Sequence, residues 1–283
     1  PCPCGRRGMK PAQFGYLRPD TLAEAIGLLK DRPHDARVIA GGQSLGPMLN
    51  LRLAQPKHII DISRLGELCD SSMSGDTLAI GACITHAQIE DGKITDVTRG
   101  LLARVAKGIA YRAVRNRGTV GGSLAHADPA ADWLTTMIAL DASLELAGAN
   151  GRSQVKVANF VTGALETTIE AAQVLTCVLV HRLSTSARWG YAKYARKPGD
   201  FAESMAIAVV DPERSLSRVV LGRRSEPPAF MQASSQVLAG KPAEPLAEKL
   251  GAAIEADLSS VRADQADWTM HRAIVLRAIR ALR

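Results

Sequence analysis

The chain has 283 residues, 46% hydrophobic and 22% charged, enough to bury a real core and to fill two domains. No stretch approaches the roughly 20 apolar residues of a transmembrane helix, and the opening Pro1–Gly8 run lacks the apolar segment of a signal peptide; a cytoplasmic protein is expected. The net charge of +7 invites a nucleic-acid reading, but aromatics are only 4% and Lys and Arg are spread along the chain, as on a solvated surface with some cations near an anionic cofactor.

Five cysteines, Cys2, Cys4, Cys69, Cys83 and Cys177, are odd in number and mostly isolated, which argues against a disulfide framework. The Cys2-x-Cys4 pair lacks the roughly four ligands of a zinc or iron–sulfur site, so no metal site is expected. Residues 1–8 read as an N-terminal extension ahead of Met9.

Leu22, Ala25, Ile26 and Leu29 share one face of a helix over Thr21–Lys30. Arg37–Ala40 and Ile59–Ile62 read as short buried strands, with Pro47 suited to the first turn of a short helix between them. Thr77–Gly81 alternates as a strand. Thr85 with Gln88 resembles a capping box, and Leu101–Ala110 reads as a helix. Trp133–Leu140 is another, with Asp132 placed to cap it. Ser143–Ala147 and Ser153–Val157 form a hairpin through Asn150-Gly151, followed by an apolar strand over Val174–Val180. Three more strands are predicted at Trp189–Lys193, Met205–Val210 and Leu216–Leu221, the last two joined by the turn Asp211-Pro212-Glu213-Arg214. Helical patterns then run over Pro228–Ala239, Pro245–Ala256 and Trp268–Leu282. Strands followed by helices suggest a separate α+β domain, with a boundary near Leu183-Ser184-Thr185.

The chemistry concentrates in two segments. Ala40-Gly41-Gly42-Gln43-Ser44-Leu45 and Thr119-Val120-Gly121-Gly122-Ser123 each carry adjacent glycines and a nearby hydroxyl. Glycine lets a backbone approach a ligand and adopt positive φ. Successive N–H groups can then form a nest for phosphate oxygens, to which Ser44, Thr119 and Ser123 add hydroxyl donors. Either pair alone reads as a tight turn; together they suit a diphosphate held between two loops. Neither segment is a Rossmann fingerprint or a P-loop. Gly42-Gln43-Ser44-Leu45-Gly46 also matches the G-x-S-x-G nucleophile elbow, but too little sheet precedes Ser44 and no Asp and His partners stand out.

The segments 40–45 and 119–129, the latter continuing Leu124-Ala125-His126-Ala127-Asp128-Pro129, resemble the FAD-binding medium subunit of molybdenum hydroxylases of the carbon monoxide dehydrogenase and xanthine dehydrogenase type. Met9–Tyr16, Leu51–Ile62, Ile80–His86 and Tyr194–Ala202 add matches. The resemblance implies an α+β architecture: a vanillyl-alcohol-oxidase (PCMH)-type FAD domain over 9–183, in subdomains of about 9–62 and 63–183. A C-terminal domain over 184–283 follows, with a three-stranded antiparallel sheet and helices. It implies non-covalent FAD, with Ala40–Ser44 and Thr119–Ser123 around the diphosphate and Leu45 adjoining. Asp132 would face ribityl or ribose hydroxyls, unless it is a plain helix cap. Phe201 would stand beside the flavin ring where relatives often have Tyr, unless it is a core aromatic. Lys197, with Arg196, would favour negative charge on the reduced ring, and His126 would be a hydrogen-bonding loop residue.

The resemblance further implies a heterotrimer, doubled by symmetry. A small subunit would carry [2Fe–2S] clusters and a large one molybdopterin, and electrons would pass through FAD to an external acceptor. No catalytic acid or base is then expected in this chain. A self-contained FAD oxidase of the same fold, and a serine hydrolase using Ser44, are the alternatives.

Overall fold

Thr21 accepts the Glu24 N–H at 3.1 Å and so caps the first long helix where its apolar stripe begins. In the computed structural model, which describes residues 10–240, 246–261 and 265–282, that helix belongs to a small N-terminal unit. The expected extension 1–8, Cys2, Cys4 and Met9 lie outside the described residues. The unit runs β1 (Gly15–Leu17), α1 (Leu22–Lys30), β2 (Ala36–Ile39), α2 (Leu45–Asn50) and β3 (His58–Asp61). Its three strands pair in parallel in the order β1-β3-β2. Strand β1 was not anticipated: three residues, two of them exposed, carry no readable alternation.

The second unit holds α3 (Gly66–Cys69), β4 (Ser71–Ser74), β5 (Thr77–Gly81), α4 (His86–Glu90), α5 (Leu101–Lys107), α6 (Arg112–Arg115), α7 (Val120–His126) and α8 (Asp132–Ala139). It continues through β6 (Ser143–Gly148), β7 (Gly151–Lys156), α9 (Val157–Phe160), β8 (Val161–Gly163), β9 (Glu166–Thr167) and β10 (Gln173–His181). Five of these strands form an antiparallel sheet ordered β4-β5-β10-β6-β7. The Thr85–Gln88 capping box is formed in both directions. The β6–β7 hairpin pairs Gly148 with Gly151, so its two turn residues are Ala149 and Asn150, one position before the expected pair.

Strands β11 (Arg188–Tyr194), β12 (Ser204–Asp211), β13 (Leu216–Arg223) and β14 (Ala229–Phe230) form the last sheet. The two-residue β14 extends the expected three strands to four and replaces the start of the predicted 228–239 helix. That helix begins at Gln232 as α10 (Gln232–Ala239), followed by α11 (Leu246–Ser259) and α12 (Gln265–Arg280). Strand β12 is buried along its whole length because both faces are covered. Ile207 and Val209 join the central core with Trp133 and Leu134, whereas Ala206 and Ala208 pack with Ile274, Val275 and Ala278 of α12. The C-terminal sheet therefore shares a core with the preceding unit. The N-terminal unit is tied in likewise: Leu22, Ala25 and Ile60 pack with Leu68, Cys83 and Val174. Among the described residues no helix is long and apolar enough to cross a membrane.

Candidate functional site

Strand β2 delivers the first glycine segment to a cavity of about 460 Å³ lined by both glycine segments. At the end of β2 the chain must reverse into α2, and Gly42 makes the turn with φ 71°, a conformation that costs little only without a Cβ. Gly46 then donates to the Gly42 carbonyl at 3.0 Å, closing the first turn of α2. The N–H groups of Gly42, Gln43, Ser44 and Leu45 meet no acceptor among the described residues, as the start of a helix requires. The Ser44 side chain makes no cap, so its hydroxyl is also on offer. This segment is a run of free donors at a cavity wall, suited to phosphate-type oxygens.

The second segment differs from the expected loop. Thr119 is an N-cap and Val120 to His126 are the helix α7. Its early N–H groups are already used. Val120 donates to Ile84 O and Gly121 to Ala82 O, both at 3.0 Å, and Ser123 donates to Thr119 O. Gly122 donates to Thr119 Oγ1 at 3.0 Å. What the segment offers a ligand is the Ser123 hydroxyl and bare glycine surface, not a second nest. Two of the glycines serve close packing against protein: a Cβ on Gly41 would lie 1.9 Å from Arg117 O, and one on Gly121 2.4 Å from Ala82 Cβ.

The cavity brings together Ala40–Leu45, Thr119, Gly121, Gly122, Ser123, Asp132 and Phe201. It leaves out three predicted residues. Val120 is fully buried in the central core, one turn before Leu124, and Arg196 and Lys197 are exposed outside the lining, Arg196 paired with Glu203 at 3.0 Å. His126 lines the cavity as the last residue of α7 rather than from a loop. Ile39, Met48, Ile62, Ile109, Val114 and Leu175 supply apolar wall, and Arg37 adds a cation at the rim.

Asp132 is not the N-cap of α8; Ala131 occupies that position. The Asp132 side chain is 4% exposed and accepts Lys193 Nζ at 2.9 Å and Tyr191 OH at 3.1 Å. Burial pushes its carboxyl up, and the Lys193 ammonium works against that. The carboxylate is thus first a tie to β11, and only its remaining lone pairs can serve a ligand. Phe201 is no core aromatic: it is 62% exposed at the cavity lining.

His86, part of the 80–86 segment, is a site residue that the sequence reading did not single out. Its ring lines the cavity, its backbone N–H donates to Gly118 O at 2.9 Å, and its Nδ1 accepts Trp133 Nε1–H at 3.0 Å. Burial, helped by Arg115, pushes its pKa down to about 4, so the ring is neutral and its Nε2 carries the proton. A polar residue opening a capped helix directly after a buried strand was the available signal. Ser44 has no histidine or carboxylate hydrogen-bonded to it among the described residues, which a nucleophile elbow would need.

A family described as the FAD binding domain in molybdopterin dehydrogenase matches residues 12–181. The chain is 39% identical over 202 residues to the carbon monoxide dehydrogenase medium chain of Hydrogenophaga pseudoflava, covering 71% of this chain and 70% of that one. It is 32% identical to caffeine dehydrogenase subunit beta of Pseudomonas sp. (strain CBB1), covering 83% and 81%. A chain in the solved structure of the Hydrogenophaga pseudoflava carbon monoxide dehydrogenase that lacks the Mo-pyranopterin moiety superposes with a TM-score of 0.89 at 33% identity, over 96% of this chain and 97% of that chain.

Proposed function

This chain belongs to the family of FAD-binding domains in molybdopterin dehydrogenases, and from that premise we propose that it is the FAD-holding electron-transfer subunit of a molybdenum hydroxylase complex. The observation that carries the reading is the run of free N–H donors from Gly42 to Leu45 beside an apolar cavity. A diphosphate needs such donors, and the flat rings of a dinucleotide need apolar walls. The four N–H groups and the Ser44 hydroxyl take the diphosphate on one side, and the Ser123 hydroxyl approaches it from the other. Asp132 and His86 present polar atoms farther along the wall, and Phe201 covers the mouth.

FAD bound there supplies the redox chemistry, accepting and releasing electrons, while the protein binds it and tunes it. Its partners on this reading are a small subunit with [2Fe–2S] clusters and a large molybdopterin subunit, assembled as a dimer of heterotrimers. On this reading the chain would hold the FAD between those clusters and an external acceptor, a role that needs no general acid or base from its side chains. The purified chain is tested by its visible spectrum and by acid precipitation. Yellow FAD released to the supernatant supports the reading. A colourless protein that binds no added FAD, or flavin that stays with the pellet, counts against it.

A further inference from the structure

Ala110 holds a left-handed backbone, φ 42°, which is strained for a residue with a Cβ. Its surroundings explain the strain. One nitrogen of Arg115 donates to both the Ile109 and Ala110 carbonyls, each at 2.8 Å. The other edge of the guanidinium is held by Glu90, with Nε to Oε2 at 2.7 Å and Nη2 to Oε1 at 3.2 Å. Glu90 is steadied in turn by Arg112 at 2.8 Å. The Arg115 side chain is only 12% exposed, so the arrangement is set inside the protein.

The turn held this way is the anchor of another segment. The Ala110 N–H donates to Gly199 O at 3.0 Å. Gly199 has φ 87°, and a Cβ there would lie 2.9 Å from the Ala110 carbonyl oxygen. The two peptides can meet only because residue 199 is glycine. Ile109, Ala110, Gly199, Asp200 and Phe201 all line the cavity. A chain of contacts therefore runs from Glu90 through Arg115 and Ala110 to the loop that carries Phe201.

We propose that Arg115 is a positioning residue of the cofactor site, which by gripping the Ile109 and Ala110 carbonyls fixes the turn onto which the 196–201 loop latches. It thereby sets where Phe201 stands at the cavity mouth. The inference rests on the reading of this cavity as the FAD site. A lysine cannot substitute, because one ammonium cannot bind two carbonyls on one edge and a carboxylate on the other.

The test uses the full chain and two variants that break the latch from opposite sides, Arg115→Met and Gly199→Ala. Hydrogen exchange of the cofactor-free chain should speed up by about tenfold or more at Ala110 and residues 199–201 in both, while α8 keeps its protection. With FAD loaded, both variants should change the visible circular dichroism of the flavin, and Arg115→Lys should not restore it. Unchanged exchange at those positions in a folded Arg115→Met, or an unchanged flavin signal with FAD bound, overturns the proposal. Should Arg115→Met not fold, Gly199→Ala decides: unchanged exchange there overturns it equally. Failure of the wild-type chain to bind FAD would sink the functional reading instead, and the exchange data would still report on the latch.

Discussion

Lys193 on β11 donates to the buried carboxylate of Asp132 on α8 at 2.9 Å, which ties the C-terminal sheet to the wall of the cavity that both glycine segments line. Both groups are almost wholly removed from solvent, so removing one strands the other. Lys193→Met is expected to cost about 3–5 kcal/mol, the usual penalty for an uncompensated buried charge. Urea unfolding measures it. The double variant Lys193→Met with Asp132→Leu should recover part of the loss. A Lys193→Met protein as stable as the wild type would mean that the pair is not held as seen.

The two glycine segments should respond differently to substitution. A methyl on Gly121 collides with Ala82, so Gly121→Ala is expected to lower stability by about 1–3 kcal/mol through overpacking. A methyl on Gly42 meets only the Ile39 side chain, at 3.2 Å, but its φ of 71° costs about 1–2 kcal/mol for a residue with a Cβ. Gly42→Ala should stay folded and bind FAD at least several-fold more weakly, because the donor run starts at this turn. Paired urea and flavin titrations separate the two effects. Wild-type FAD affinity in Gly42→Ala would remove the diphosphate from this turn.

The sequence carried this contrast only in part. Gly42 follows a β-branched pair at the end of a strand, and a tight turn there is readable. The helical character of 120–126 was not, because adjacent glycines lower helix propensity and hid the i, i+4 pair Val120 and Leu124, both fully buried. Tertiary packing overrides that local cost. The Asp132–Lys193 tie was illegible for a different reason: the two residues are 61 positions apart and meet only once β11 is laid beside α8. Periodicity reports which face of an element is apolar, not which polar residue waits across the interface. The sequence left Phe201 open between a place beside the ring and a core aromatic, since an aromatic's burial depends on what covers the loop; its 62% exposure removes the second.

Ser44 separates two chemistries. If it contributes one hydroxyl to a charged diphosphate, Ser44→Ala costs about 1–3 kcal/mol of FAD affinity and leaves a yellow protein at saturating FAD. If it were a hydrolase nucleophile, ester-cleaving activity would be present in the wild type and vanish in the variant. Assays of the same two preparations for retained flavin and for ester cleavage read both outcomes.

The isolated chain is expected to bind FAD without oxidising an aromatic heterocycle, an aldehyde or carbon monoxide. A [2Fe–2S] cluster takes about four thiolates, and among the described residues no group of three or more His, Cys, Asp or Glu side chains is placed to hold a metal ion. Anaerobic mixing of the FAD-loaded chain with substrate should leave the flavin absorbance unchanged, and co-expressed partner subunits should allow bleaching. Rapid bleaching by the chain alone would make it a self-contained oxidase.

His86 should give the fold a measurable acid sensitivity. Its pKa is pushed down to about 4, first by burial and then by Arg115, while in the unfolded chain it is about 6.5. Between those values the unfolded state binds a proton that the folded state refuses. The contribution is therefore fully present above about pH 6.5 and is lost progressively as pH falls towards 4, reaching at most about 3 kcal/mol. His181 and His271 are also shifted down, and they remain in any His86 variant, so a difference measurement cancels them. His86→Gln lowers stability at neutral pH by disturbing the Trp133 hydrogen bond, yet its stability should fall less steeply between pH 6.5 and 4. Urea unfolding of both proteins across that range reads the two slopes, and equal slopes would show that His86 is not their source.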